Sequence, residues 1–424
     1  MNHNHTRPGI LLFAVAVILG SFATLRGELD GSALTPFVVV AFIAIIVGMQ
    51  LPVSLAQRVL TPLTTAAALG LILAPLNFDG RAPGAASVLV IVWLGMLIGG
   101  VARRLRGRQL VEGSLAARFL GMALTAVLAR DVSIGDTTVV EWAFADGTRR
   151  SLAVFALLAV AAVGGLFEGV LEKAVLWLDE GGTLLGMMTD EIRPLAGIAA
   201  ATASAGPLIA VAHPVLDWVA IPLLLLPVLM MYLAVQWVQD SRRDLEESIA
   251  AMSRLPEVSG FSRTGHGRRV ADIAVRIANE MSVDPETSQR IERTALLHDL
   301  GHLGLPEPLP GGRTLNASSQ TQEQIACTTV RIVGSAPMFE ELLPLLDQVR
   351  TPFRQWREFG ERIPLESRIV RVANAWDDIT EGARSPRARQ VALERLHLGL
   401  GYEYDPDVVA ALEQVFVAEG ALVV

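Results

Sequence analysis

The sequence predicts an all-α protein in which a polytopic transmembrane helical domain is followed by a cytoplasmic all-helical domain. Of the 424 residues, 52% are hydrophobic and 18% are charged, whereas about a quarter of the residues in soluble proteins are charged. The deficit is confined to residues 1–238, because residues 239–424 have an ordinary soluble composition. This shift divides the chain into two modules that prefer different solvents.

Apolar segments account for most of the first module. A helix needs about 20 mostly apolar residues to cross a bilayer, and the sequence predicts about eight spans. They are residues 9–25, 34–54, 59–78, 87–101, 114–130, 152–178, 193–212 and 216–238. The first segment is interpreted as a retained helix, because no small-residue cleavage site separates it from a hydrophilic domain.

Loop charge predicts the orientation of these spans. The most basic short connection is residues 102–108, and the stretch QDSRRD, residues 239–244, brings two arginines directly after the last span. Since basic loops face the cytoplasm, eight spans place both the N-terminus and the second module on that side of a bacterial cytoplasmic membrane. The single cysteine, Cys327, excludes an intrachain disulfide and fits a reducing compartment.

Residues 239–261 are predicted to form a linker helix between the modules. Leu245, Ile249 and Met252 recur there at helical spacing among charged residues, a pattern typical of a signalling or dimerisation helix. A homodimer formed through residues 239–256 is one interpretation of this pattern, and a solvated helical linker is the other.

The second module, residues 262–424, has apolar residues at helical spacing throughout. Asp284 followed by Pro285 predicts a helix start. Further helices are predicted over residues 319–333, 338–349, 365–381, 385–397 and 405–419. No strand pattern interrupts them, so the module is predicted to be one helical domain.

Three residues of the second module have the chemistry of a metal site. His298 and Asp299 are adjacent in the stretch TALLHDLGH, and His266 lies near the start of the module. Imidazole and carboxylate ligands suit Mn, Fe, Mg or Zn, and such an ion lowers the pKa of a bound water and neutralises phosphoryl charge. A polar pair near a helix end, with no metal, is the alternative interpretation of the doublet.

The context of the doublet resembles a known family. The stretches GHGRRVADIAVRIANEM, IERTALLHDLGHLGLPEPL, IPLESRIVRVANAWDDITEG and GYEYDPDVVAALEQVF resemble, in order, blocks of the HD-GYP family of the HD superfamily of metal-dependent phosphohydrolases. The resemblance covers residues 262–418. It implies an all-helical fold, two or three metal ions and hydrolysis of cyclic di-GMP, and the arrangement of the whole chain is similar to a bacterial membrane-sensor version.

The resemblance implies that three metal ligands are kept, namely His266, His298 and Asp299, with Asp299 also a catalytic group if the site is active. The family's late aspartate ligand is Asn374 here, and a neutral carbonyl oxygen holds a cation less strongly than a carboxylate does. The lysine that follows the doublet in the family is His302. His302 is interpreted either as a compensating catalytic or ligating group or as a surface or helix-capping residue.

Other positions depart further from the family. Cys327 stands where the family has a histidine ligand; a thiolate can bind zinc, and a small core residue is the alternative interpretation. The histidine pair and the GYP signature belong in residues 348–362, where the sequence QVRTPFRQWREFGER has neither. Asp377 matches a family aspartate that is not usually a ligand. A binuclear site is therefore not expected. One metal held by His266, His298, Asp299 and Asn374, a set poor in negative charge, is one interpretation, and no bound metal is the other.

Two functions follow from this partial match. The first is a membrane-bound signalling protein with a degenerate HD-GYP-like domain that binds a partner or a nucleotide, such as a cyclic dinucleotide, with weak or no hydrolysis. The second is an active metal-dependent phosphohydrolase that uses a reduced metal site on cyclic di-GMP or a related phosphoester. The net charge of -8 argues against a nucleic-acid polymer as partner.

Overall fold

The structure is a computed structural model. It describes residues 7–26, 34–55, 58–78, 82–108, 111–180, 192–314, 317–383 and 385–418. The chain divides into two compact units, Met1–Gln239 and Asp240–Val424. Helices dominate both units, so the predicted all-α class is confirmed at that level.

The first unit is built from helices with two small hairpins. Thr35 accepts a hydrogen bond from the Val38 amide and Pro36 follows at the first helical position, so the second helix begins with both features of a capped N-terminus. The helices are α1 (Arg7–Arg26), α2 (Pro36–Gly48), α3 (Pro62–Leu73), α4 (Ala85–Leu105), α5 (Glu112–Arg130), α6 (Val139–Phe144), α7 (Arg150–Glu180) and α8 (Ile192–Leu216), and α9 (Ala220–Ser253) starts in this unit.

The two hairpins were not predicted. Strands β1 (Val53–Leu55) and β2 (Arg58–Leu60) pair antiparallel, and so do β3 (Ser133–Ile134) and β4 (Thr137–Thr138). Strands of two or three residues are too short to show an alternating pattern in the sequence.

The number of membrane spans is not confirmed. Each of the eight predicted segments falls on one of these helices, but among the described residues only four helical stretches are long and apolar enough to cross a bilayer. They are Ala85–Leu105, Glu112–Arg130, Arg150–Val175 and Gly197–Val258. The helices over Leu12–Phe22, Pro36–Gly48 and Pro62–Leu73 are apolar but shorter. Membrane association is thus consistent with the structure, and eight spans remain a prediction.

The second unit is a helical bundle, as the sequence predicts. After the end of α9, its helices are α10 (Leu255–Val258), α11 (His266–Glu280), α12 (Pro285–Leu297), α13 (Ser319–Val333), α14 (Leu343–Gln348), α15 (Phe353–Phe359), α16 (Leu365–Thr380), α17 (Pro386–Leu398) and α18 (Pro406–Ala418). In its described part, the one β contact is an isolated bridge between Leu400 and Tyr404. Tight 3-10 turns cover Leu300–Gly304, Pro310–Gly312 and Pro337–Leu342.

The core of this unit holds α11, α12 and α16 together. Val270, Ala274 and Ile277 of α11 are fully buried with Ile291 of α12 and Ile369 of α16. Asp284 caps α12 by accepting a hydrogen bond from the Thr287 amide at 3.0 Å, as its position before a proline predicts. These contacts hold together the three helices that carry the candidate site.

Two details of this unit differ from the sequence prediction. The helix predicted over residues 338–349 is a 3-10 turn, Pro337–Leu342, followed by the short α14. The helix α15 was not predicted. It lies between Pro352 and Gly360, whose φ of 70° ends the helix, and seven residues carry too little periodicity to reveal it.

Candidate metal centre

His266 is the first residue of α11. The preceding residue, Gly265, has a φ of 73°, a left-handed conformation that favours glycine. This turn directs the chain into the helix so that the His266 side chain is buried, with 2% of its surface exposed. One ligand candidate is thereby placed at the N-terminus of a core helix.

The His298–Asp299 doublet lies where α12 ends. His298 follows the last residue of the helix, and Asp299 precedes the 3-10 turn Leu300–Gly304. The turn runs so close to α13 that a Cβ on Gly301 would lie 1.8 Å from the Ile325 carbonyl oxygen. Thr329 of α13 donates to the His298 carbonyl oxygen at 3.2 Å. The doublet is therefore held by α13 as well as by its own helix.

These residues bring three possible ligand atoms together. The described residues contain one group of at least three His, Cys, Asp or Glu ligand atoms within 4.8 Å of one another, formed by His266, His298 and Asp299. His298 Nε2 is 3.0 Å from Asp299 Oδ1, and His266 Nε2 is 3.3 Å from Asp299 Oδ2. All three side chains are buried.

The other ring nitrogen of each histidine is held by an acceptor. His298 Nδ1 lies 2.7 Å from the Ala295 carbonyl oxygen, and His266 Nδ1 lies 2.7 Å from Asp377 Oδ2. His302 Nδ1 lies 3.2 Å from the Phe261 carbonyl oxygen. Since a carbonyl or carboxylate oxygen only accepts, Nδ1 carries the proton in each ring. A neutral ring then has its lone pair on Nε2, and outer hydrogen bonds of this kind orient metal-binding histidines.

Several polar atoms at this point have no hydrogen bond. Within the described residues, His298 Nε2, His302 Nε2, Asp299 Oδ1 and Asn374 Oδ1 are buried and make no hydrogen bond to protein. His298 Nε2 and Asp299 Oδ1 lie 3.0 Å apart, but they are not aligned as donor and acceptor. A buried polar atom without a partner is costly, and unpaired groups of this kind call for an explanation such as an ion. Nitrogen lone pairs and a carboxylate oxygen that face one another suit a divalent cation, so the residues present fit a metal ion.

The local charges are strongly coupled. Burial disfavours a charged imidazole, yet the adjacent Asp299 carboxylate and the Ala295 carbonyl raise the pKa of His298 to about 9. Burial also opposes ionisation of Asp299, but His298, His302 and His266 hold the pKa of that carboxyl well below its usual range. Asp299 is therefore ionised and ready to bind a cation.

Asp377 organises the residues around the centre. It accepts from His266 Nδ1 and from Arg269, whose Nε and Nη2 lie 2.7 and 3.0 Å from its two oxygens. Arg263 Nη2 lies 3.3 Å from Asp377 Oδ2. Burial opposes ionisation of Asp377, but the hydrogen bonds from His266 and Arg269 lower its pKa to about 2. Asp377 lies outside the group formed by His266, His298 and Asp299, and it holds the His266 ring in place through Nδ1.

Asn374 and His302 reach the centre, but outside the compact group. Asn374 donates from Nδ2 to Thr314 Oγ1 at 3.0 Å, which leaves its carbonyl oxygen unpaired beside the doublet. His302 is fully buried and its Nε2 lies 3.4 Å from Asp299 Oδ1. The interpretation of His302 as a surface residue is therefore wrong, because the 3-10 turn directs it inward.

Cys327 does not join the metal centre. It is exposed, although its neighbours Ala326 and Thr328 on α13 are buried. The interpretation of Cys327 as a core residue is therefore wrong. The structure also does not place it in the group formed by His266, His298 and Asp299.

A cavity of about 420 Å³ opens from the doublet. This volume lies within the range of small-molecule sites, about 300–1,000 Å³. The cavity is lined in part by His298, Asp299, Asn374, Asp378, Arg350, Arg354, Arg371 and Glu403. Sequence reasoning missed the last five of these residues. For Arg350 and Arg354, the arginines of residues 348–362 were an available signal. No local pattern in the sequence points to Asp378, Arg371 or Glu403.

Comparison with known proteins identifies the second unit. Residues 250–408 match the HD domain family. Similar curated proteins include the cyclic di-GMP phosphodiesterase response regulator RpfG of Xanthomonas campestris pv. campestris, 26% identical over 176 residues, which are 39% of this chain and 47% of the relative. A cyclic di-GMP phosphodiesterase of Thermotoga maritima is 26% identical over 179 residues, which are 39% of this chain and 48% of the relative.

The extent of these matches is limited. The chain spans about half the length of the curated relatives it matches. No solved structure matches the chain. The comparisons therefore show that residues 250–408 are similar to the HD domain family, and they leave the function of the whole chain to be argued from its residues.

Proposed function

Since residues 250–408 match the HD domain family, we propose that this chain is a membrane-bound signalling protein that binds one divalent metal ion and a phosphorylated ligand. The ligand class proposed is a cyclic dinucleotide, because both curated relatives are named as cyclic di-GMP phosphodiesterases. Binding without efficient hydrolysis is the proposed activity. Transmission of the signal through residues 239–256 is part of the same proposal.

The ligand set carries this proposal. His266, His298 and Asp299 are the single compact group of metal ligands among the described residues. Asn374 supplies a neutral oxygen where the resembled family has a carboxylate, and residues 348–362 contain no histidine. Among the described residues, this one compact group fits one ion, which supports a reduced site.

The roles of the individual residues follow from their contacts. His266, His298 and Asp299 would hold the ion, with the Asn374 carbonyl and His302 beside them. When bound, a divalent ion supplies positive charge to a phosphoryl oxygen and acidifies a bound water. Asp377 holds the His266 ring through Nδ1, and Arg269 keeps Asp377 ionised. The cavity beside the doublet would receive the ligand.

A second function is favoured by the same centre. His298 Nε2 and Asp299 Oδ1 are buried without hydrogen-bond partners and line the cavity, which is what a working one-metal phosphohydrolase needs. In that case the chain would hydrolyse cyclic di-GMP or a related phosphoester, with Asp299 and His302 as catalytic groups.

Binding and turnover by the metal-loaded full-length protein separate the two functions. We expect cyclic di-GMP to bind, as measured by calorimetry, with no product detected by chromatography after incubation with Mn²⁺. Turnover that is lost on substitution Asp299→Asn would establish the second function and overturn the first. Absence of both binding and turnover would overturn the cyclic dinucleotide assignment.

A further inference from the structure

We propose that Arg350 and Arg354 form an anion site that binds a phosphate group of the ligand, in the stretch where the resembled family carries histidines. This rests on the proposed function, because the ligand is taken to be phosphorylated. Both arginines line the same cavity as His298 and Asp299. The cavity then has a metal-binding part and a separate cationic part.

The acidic residues of the cavity are already paired. Glu403 accepts from Arg371 Nη2 at 2.5 Å. Asp378 lies 3.3 Å from Arg263 Nη2 and accepts from the Thr314 amide at 3.1 Å. Asp299 is surrounded by histidines. In the described residues, these carboxylates pair with Arg263, His298 and Arg371 and form no ion pair with Arg350 or Arg354. They therefore leave the charge of both arginines to a ligand.

The backbone at Arg350 is held in place by Arg371. Arg371 Nη1 donates to the carbonyl oxygens of Val349 and Arg350 at 3.2 and 2.6 Å. The Nε of Arg350 is buried and makes no hydrogen bond within the described protein. Arg350 also forms an ion pair with Asp347, but the two atoms are 3.8 Å apart and the side chains are 34% and 40% exposed. A long, solvent-screened pair of this kind contributes little. A buried donor therefore remains for a ligand.

Arg354 is held in a similar way. Its amide donates to the Tyr402 carbonyl oxygen at 2.9 Å, and its guanidinium lies 4.2 Å from the centre of the Tyr402 ring. Stacking on an aromatic ring restricts the side chain but leaves the N–H donors in the guanidinium plane available. No ion pair of Arg354 is found in the part of the chain that the structure describes.

The chemistry of the two side chains selects the ligand class. A guanidinium presents paired N–H donors whose spacing matches two oxygens of a phosphate. Two such groups beside a single metal ion would supply the positive charge that further ions supply in a binuclear centre. A ligand with two phosphate groups, one near the metal and one near the arginines, has the charge distribution that fits this cavity.

The test is anion binding by metal-free full-length protein. Inorganic pyrophosphate is titrated into detergent-solubilised protein in the presence of a chelator, and binding is measured by calorimetry. We expect Arg350→Gln and Arg354→Gln each to weaken binding about tenfold, the effect of losing one charge-assisted hydrogen bond. Arg357→Gln is the matched control, because Arg357 lies on the same helix as Arg354 and pairs with Glu358 without lining the cavity.

Two further variants separate this inference from the proposed function. His298→Ala should abolish metal binding but leave pyrophosphate binding intact, whereas Arg350→Gln should leave metal binding intact. If the Gln variants fail to fold, Arg350→Lys and Arg354→Lys keep the charge and should weaken binding to a lesser degree. Absence of pyrophosphate binding in the unmodified protein, or equal binding in the Gln variants and the Arg357→Gln control, would overturn the anion site.

Discussion

Protonation of the histidines decides whether the centre can bind a metal. In the metal-free protein, burial lowers the pKa of His298, but the Asp299 carboxylate and the Ala295 carbonyl together raise it by more. The pKa of His298 is therefore about 9. Below that pH the ring carries a second proton at Nε2, the atom that a metal would need. Metal and proton therefore compete for His298.

This competition predicts proton release on metal binding. At pH 7, binding of Mn²⁺ should release about one proton from His298, and the apparent affinity should rise up to about tenfold per pH unit until about pH 9. The raised pKa of His298 also makes the stability of the metal-free fold depend on pH. Its stabilising contribution is complete below the ordinary pKa of histidine and is lost as the pH rises through about 9. Calorimetry in two buffers of different ionisation enthalpy measures the protons released, and a value of zero at pH 7 would contradict this interpretation.

Asp377 is predicted to act through His266. Asp377→Asn removes the carboxylate that accepts from His266 Nδ1 and pairs with Arg269, so the ring loses its orientation. Loss of such an outer partner typically weakens metal binding 10–100-fold. Metal titration of the full-length protein measures the change. Asp272→Asn is the control, since Asp272 forms an exposed pair with Arg268, and equal affinity in both variants would refute the positioning role.

At the element scale, the turn that carries the doublet depends on Gly301. A side chain there would clash with the Ile325 backbone of α13. Gly301→Ala should destabilise this region by about 3 kcal/mol, because backbone has to move to accept the methyl group. Hydrogen exchange in peptides from residues 291–333 measures the effect, and faster exchange is expected.

Gly267→Ala provides the matched comparison. A Cβ on Gly267 would meet its nearest atom at 3.6 Å, an ordinary contact, and alanine favours a helix over glycine by up to about 1 kcal/mol. Exchange should be unchanged or slower in that variant. Unchanged exchange in Gly301→Ala would show that α13 does not hold the doublet.

The sequence predicts the helices of the second unit better than its turns. Helical periodicity and the Asp284 cap identify α11 and α12 because both signals are local. The inward direction of His302 depends on the 3-10 turn packed against α13, which no local pattern reveals. For the same reason the exposure of Cys327 and the arrival of Arg350 and Arg354 at the cavity were missed, since they depend on how distant helices pack.

At the scale of the whole molecule, composition alone separates the apolar and soluble parts of the chain. The structure describes two compact units, Met1–Gln239 and Asp240–Val424, with four helical stretches able to span a membrane among the described residues. Hydropathy does not decide between short and spanning helices, so the eight spans stay a prediction. The cytoplasmic orientation and the homodimer through residues 239–256 also stay predictions.

The proposed function depends on a centre that holds one metal ion. Full-length protein is dialysed against Mn²⁺ and the metal bound per chain is measured by elemental analysis, with His266→Ala beside the control His397→Ala. His397 is a suitable control because it is a half-exposed histidine of α17 that pairs with Glu413. We predict one ion per chain, lost in His266→Ala and kept in His397→Ala. Two ions per chain, or none, would contradict the account.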